Sequence, residues 1–182
     1  MGYHLIRMTE KLFHISEEPD ISTFAPRPSP SRYDSIKGDV VFAITEKLLH
    51  NYLLPRDCPR VTYYANQLTL AADKENFLKK PYEFVISVEE MWKPIIRQTT
   101  LYCYEFDATG FSLLDECAGY YISYHAQKPV SVTCIQNPLE ALSSRHNIEI
   151  RFLQNLWNLA EAVVQSTLSF SLIRMRNAAP RK

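Results

Sequence analysis

In "LFHIS", His14 and Ser16 stand two residues apart within a run of strand-forming residues. Side chains two apart on an extended strand share a face, so this imidazole and hydroxyl can hydrogen-bond one ligand together. The same histidine can instead satisfy a backbone carbonyl, an ordinary structural use. Four arginines, Arg27, Arg32, Arg56 and Arg60, occur among prolines in "APRPSPSR" and "LPRDCPR". A guanidinium presents a planar fork of donors matched to phosphate or carboxylate, and neighbouring prolines hold its backbone at low entropic cost, which suits a pyrophosphate clamp. The structural alternative is ion pairing that pins the loops, Arg56 with Asp57, or Arg60 with Glu17, Glu18 or Asp20. Asp115 and Glu116 precede a strand that carries Tyr120, Tyr121 and Tyr124. A carboxylate beside aromatic walls can orient a ribose hydroxyl or steady positive charge developing at a sugar carbon. Two adjacent acids at a turn can equally be plain surface residues.

These residues need a scaffold. Pro19, Pro26, Pro28 and Pro30 each lack a backbone donor and restrict the residue before them, so residues 17–34 form an extended loop rather than a helix or central strand. Phe24 offers that loop an apolar anchor, and the loop is expected to be ordered and to pack near "PRDCPR".

Short apolar or aromatic runs read as strands: "KLFHIS" (11–16), "DVVFAI" (39–44), "RVTYYA" (60–65), "YEFVISV" (82–88), "TLYCYEF" (100–106), "GYYISY" (119–124), "VSVTCI" (130–135) and "IEIRF" (148–152). "HAQKP" between the sixth and seventh of these is expected to be their turn. "TEKLLHNYLL" (45–54) switches to helical spacing, with Thr45 as N-cap and Pro55 as the stop. "EEMWKPIIRQ" (89–98) and "NPLEALSS", capped by Asn137 with Pro138 at the first position, read as short helices. "NLWNLAEAVVQSTLSFSL" (155–172) places apolar residues on one face and predicts a long C-terminal helix packed on the sheet. The basic "LIRMRN" after it complements that helix's dipole. The interleaving predicts a single α+β domain over residues 1–182, with a curved, mostly antiparallel sheet and flanking helices.

Composition excludes several functions. At 182 residues, 46% apolar and 12% aromatic, the chain can bury a substantial core. Lys plus Arg equals Asp plus Glu at 20 each, so no global field draws nucleic acid or an anionic membrane. Apolar runs are too short to span a bilayer and "MGYHLIRMTEK" is too short and polar for a signal peptide, which places the protein in the cytoplasm. Cys58, Cys103, Cys117 and Cys134 lack Cys-x-x-Cys spacing, arguing against a metal site; they are expected to stay thiols, most of them small core residues. Neither the glycine fingerprint of dinucleotide dehydrogenases nor Walker, zincin or hydrolase-elbow motifs occur.

Taken in order, "LFHISEEPDISTFAPRPSPS", "VVFAI", "NYLLPRDCPRVTYYA", "LYCYEF", "AGYYIS", "LW" and "FSLIRMRNA" resemble a bacterial family of uncharacterised proteins over almost the whole chain. More distantly, "FHIS", "VVFAITEKLLHNYL" and "ISYHAQKPVSVTCI" are similar to three strand segments of the ADP-ribosyltransferase superfamily, above all its short rifamycin-modifying branch. That resemblance implies a split, bent sheet gripping NAD in an extended pose, with His14 and Ser16 at the nicotinamide ribose. Phe42 stands where the superfamily has a nicotinamide-stacking tyrosine and can stack without offering a hydroxyl. Tyr120 would line the site, one of Arg27, Arg32, Arg56 and Arg60 would hold the phosphates, and Asp115 or Glu116 would be the catalytic acid. The implied partner is a small nucleotide ligand, with the acceptor of ADP-ribose open. A non-catalytic module binding a ligand or a protein is the alternative.

Overall fold

The computed structural model describes residues 11–29 and 33–181; Arg32, Pro30 and the N-terminal "MGYHLIRMTE" lie outside the described residues. Among the described residues, ten strands form two sheets: β1 (Lys11–Ser16), β2 (Val41–Thr45), β3 (Arg60–Tyr64), β4 (Phe84–Glu89), β5 (Leu101–Asp107), β6 (Ser112–Asp115), β7 (Tyr120–Ser123), β8 (Ser131–Ile135), β9 (Ile148–Leu153) and β10 (Ser169–Ile173). Helices α1 (Ala71–Phe77), α2 (Lys93–Gln98), α3 (Pro138–Ser143) and α4 (Trp157–Val164) are short, and 3₁₀ turns cover Glu46–Tyr52, Glu90–Trp92 and Met175–Asn177. The chain is thus α+β, and no helix among the described residues is long and apolar enough to cross a membrane.

The first sheet has the order β6-β7-β2-β1-β5-β8 with antiparallel neighbours throughout; the second, β10-β3-β4-β9, is antiparallel except for the parallel β4–β9 pair. Strand alternation builds three cores. Phe13, Ile44 and Cys103 of the first sheet meet Ile86, Val88 and Ile148 of the second, with Leu48, Leu49, Leu53 and Leu54 of the 3₁₀ turn and its exit between them. Leu12, Val41, Ala43, Tyr104 and Phe106 point to the opposite, outer face of the first sheet, where Phe24 covers them. Val61, Tyr63 and Val85 bury the outer face of the second sheet under Leu156, Ala160 and Val163 on and beside α4.

Two expectations are corrected. The long C-terminal helix stops at Val164, because "STLSFSL" alternates at period two and Ser169–Ile173 joins β3 as an edge strand. Arg174 therefore starts a 3₁₀ turn rather than ending a helix, and its Nε donates to the Arg56 carbonyl at 3.2 Å. "HAQKP" does not close a hairpin either: β7 pairs with β2 and β6, while β8 sits at the far edge beside β5. The connection crosses the sheet and is held midway by reciprocal backbone bonds between Phe24 and Gln127, 2.8 and 2.9 Å. The Asn137 cap is present, its side chain accepting from the Glu140 amide at 3.2 Å.

Candidate functional site

The two sides of β1 differ in extent. Six rungs join it to β5, from Lys11–Asp107 to Ser16–Tyr102, whereas two join it to β2, Leu12–Thr45 and Phe13–Ile44. The ladder stops there although both strands continue. At the next position the His14 ring takes over: its Nδ1 lies 2.9 Å from the Phe42 carbonyl oxygen. A carbonyl only accepts, so Nδ1 carries the proton and donates, which leaves Nε2 as an acceptor with no partner among the described residues. Burial lowers the His14 pKa below its ordinary 6.5; the bond to Phe42 acts in the other direction, and the nearby Arg56 and Arg27 guanidiniums lower it further. The imidazole is therefore neutral at neutral pH.

The loop after β1 is ordered across 17–29. The Tyr104 hydroxyl donates to the Glu18 carbonyl at 2.8 Å and accepts from the Ile21 amide at 3.1 Å. Phe24, 8% exposed, packs its ring 4.9 Å from His14 and edge-on to Tyr104 and Phe106. The Glu17 carboxylate accepts the Arg56 amide at 2.7 Å, which ties the loop to "PRDCPR" as the sequence suggested. Ser16 closes a local turn, its Oγ accepting from the Glu18 amide at 3.0 Å. Arg27 joins Val40 through a pair of backbone bonds, leaving its side chain exposed.

On the inner face, Phe42 shares its side of β2 with Ile44 and meets Tyr120 of β7 edge-on at 6.0 Å. Tyr52 and Tyr33 approach the same ring at 6.2 and 6.4 Å, and the Tyr52 and Tyr120 hydroxyls are hydrogen-bonded to each other. Beneath them lies Arg60, only 2% exposed, with its guanidinium 5.8 Å from the Tyr52 ring centre. Its Nη1 donates to the Pro55 carbonyl at 3.2 Å, and its Nε has no partner among the described residues. Among the described residues no carboxylate pairs with Arg60, so the ion-pair alternative does not occur there. Burial lowers its pKa and raises those of Tyr52 and Tyr120; burial together with the Asp115 carboxylate pushes Tyr33 up to about 12. All three phenols stay protonated and able to donate.

The acidic turn borders this cluster. Asp115 Oδ2 receives the Tyr33 hydroxyl at 3.4 Å, and its Oδ1 accepts the Ala118 amide at 3.0 Å. Gly119 closes the turn at φ +67°, and a Cβ there would lie 2.6 Å from Thr45 Oγ1, so a glycine is what lets the turn dock on the end of β2. Glu116 is exposed and contributes only its carbonyl, which accepts from the Gly119 amide at 3.2 Å.

The fold thus gathers the sequence candidates into two groups. His14 and Ser16 lie on the outer side with Arg27 and Arg56 near His14; Phe42, Tyr120, Asp115 and Arg60 lie on the inner side. They meet at the Phe42 backbone. Glu116 belongs to neither, and Arg32 lies outside the described residues. Tyr33 and Tyr52 escaped the sequence reading: nothing local to "SRYD" or "HNYLL" marks which rings a fold will bring together, although a tyrosine just before "LLPRDCPR" puts a hydroxyl beside the arginine-proline segment.

No curated protein and no solved structure matches the chain. A family match covers residues 13–178, and so includes both the His14 seam and the Arg60 cluster. On that match, which spans nearly its whole length, the chain belongs to the family of unknown function DUF6886.

Proposed function

We propose that the opened seam between β1 and β2 binds NAD or a closely related nucleotide, in an ADP-ribosyltransferase-like domain that passes ADP-ribose to an acceptor. The observation that carries this reading is the early end of the β1–β2 ladder at His14. The neutral ring is fixed by its Nδ1 bond to Phe42 and offers Nε2 to a ribose hydroxyl. The ligand would pass between the two strands: Phe42 and Tyr120 supply flat apolar walls for a nicotinamide ring on the inner face, and Ser16 stands beside His14 on the outer face. Arg56 and Arg27 lie close enough to His14 to be felt electrostatically, and Arg60 is a buried cation without a counter-ion among the described residues, so each can oppose a phosphate charge.

In the transfer itself, the bond between the ribose anomeric carbon and the nicotinamide nitrogen breaks and nicotinamide leaves with the electron pair. The acceptor nucleophile forms the new bond at that carbon and gives up its proton to solvent or a base. Of the two acids, Asp115 faces the aromatic cluster and is assigned to steady the cationic sugar; Glu116, one residue on and exposed, lies outside it. One feature favours a second reading, a non-catalytic nucleotide-binding module: both Asp115 oxygens already accept hydrogen bonds.

A thermal-shift comparison of NAD, ADP-ribose and nicotinamide tests binding. A ligand at 100 times its dissociation constant stabilises the folded state by about 2.7 kcal/mol, roughly 5–10 °C in Tm for a chain of this size. A shift with NAD is expected; no shift with any of the three would remove the nucleotide reading. Release of nicotinamide on prolonged incubation then separates the enzyme from the binding module.

A further inference from the structure

Away from the His14 seam, a groove of about 630 Å³ opens where the 3₁₀ turn, the end of β3 and α1 meet the turn leading into β4. Its floor is aromatic. Tyr64 and Phe84 are direct partners in the β3–β4 register, with ring centres 5.4 Å apart and planes tilted by 43°. Its walls carry three ammonium groups from three separate segments, Lys47, Lys74 and Lys80, and the Lys47 Nζ stands 4.9 Å above the Tyr64 ring centre. Two acids also line it, Glu75 and Glu83. Yet none of the three lysines forms an ion pair with a carboxylate among the described residues. Glu83 is instead engaged by the Asn147 amide at 3.1 Å. The volume falls inside the range of roughly 300–1,000 Å³ found for small-molecule sites.

We propose that this groove is a second ligand site, separate from the seam, that takes a nucleoside monophosphate. The base lies on the Tyr64 and Phe84 floor and the phosphate is received by Lys47, Lys74 and Lys80. Aromatic faces accept any base by stacking, and ammonium groups on flexible stems reach a phosphate dianion as point charges. Neither feature alone would select this ligand: a free phosphate ignores the floor, and an uncharged nucleoside ignores the lysines. This site does not depend on NAD binding at the seam.

The test is calorimetric titration of the full chain with AMP, adenosine and inorganic phosphate, repeated with Lys47→Gln/Lys80→Gln, Lys74→Gln and His14→Ala. AMP is expected to bind more tightly than either fragment. Each lysine substitution set is expected to weaken AMP about tenfold or more, the loss of a charge-assisted contact, while His14→Ala leaves AMP unchanged. Melting curves check that the surface substitutions leave the fold intact, and Lys74→Gln serves if the double variant does not. AMP binding no tighter than adenosine, or unaffected by the lysine changes, overturns the proposal. So does loss of AMP binding in His14→Ala, which would place the nucleotide at the seam.

Discussion

One strand, β1, has a closed side and an open side. Toward β5 it forms a full ladder of six rungs, sealed on the outer face by Tyr104, Phe106 and the Phe24 anchor. Toward β2 it forms two rungs, after which an imidazole replaces the backbone pairing. The closed side is built for stability, since Leu12, Tyr104 and Phe106 are buried and the Tyr104 hydroxyl is paired with the loop backbone. The open side holds a ring nitrogen and a guanidinium nitrogen without partners among the described residues, Nε2 of His14 and Nε of Arg60. Unpartnered polar atoms beside an interrupted ladder cost stability, which is what a binding site costs a fold.

The comparison breaks most readily on the closed side. Tyr104→Ala removes a side chain 1% exposed together with both hydrogen bonds that hold residues 18 and 21. It is expected to lose about 3–5 kcal/mol in urea denaturation. A loss under about 1 kcal/mol would mean that the loop is held elsewhere.

Acid comes next, and it acts through buried histidines. His50 is 2% exposed with its ring 4.6 Å from Phe84, and burial lowers its pKa from 6.5 to about 4, the neighbouring Arg145 adding to the shift. The unfolded chain therefore takes up a proton before the folded one does. Stability is full above pH about 6.5 and drains as the pH falls toward about 4, by about 3 kcal/mol for His50. His14 shifts in the same direction and adds to the loss. His50→Gln is expected to flatten the dependence of unfolding free energy on pH across that window; an unchanged slope in His50→Gln would contradict the burial account.

His14→Ala acts on the open side. It leaves the Phe42 carbonyl without its donor and is expected to cost roughly 1–3 kcal/mol, less than Tyr104→Ala, while abolishing NAD binding. A variant that melts like the parent and still binds NAD would remove His14 from both roles.

Arg60→Met is the smallest effect on stability and opposite in sign. It removes a buried charge that has no counter-ion among the described residues and keeps an apolar chain of similar length. Stability is expected to hold or to rise by about 1 kcal/mol, while NAD affinity falls. A large destabilisation would show that the Pro55 contact and the Tyr52 face already satisfy the guanidinium.

Much of this was legible in the sequence. His14 on a first strand, Phe42 on a second, Arg60 opening a third and the Asn137 cap all follow from local pattern, and those elements form where the pattern puts them. What was not legible depends on pairing. "STLSFSL" carries both a helical and an alternating reading, and only the free edge of β3 decides for the strand. "HAQKP" looks like a hairpin turn because strand propensity is silent about which strand is the neighbour. Nor does composition reveal that Arg60 lies buried beneath the Tyr52 ring and near Tyr120 of a distant strand, since burial of a charge is a property of the assembled fold. The α1 helix, with its exposed "AADKENF", offers no apolar stripe to detect.

Hydrogen exchange read residue by residue, with and without NAD, tests the central claim most directly. The amides on the two strands flanking the seam, residues 14–16 and 41–43, are expected to gain protection when NAD is added, whereas the β5 amides paired with β1 stay as they were. Unchanged exchange at residues 14–16 and 41–43 under saturating NAD, or protection confined to another part of the molecule, would contradict the account.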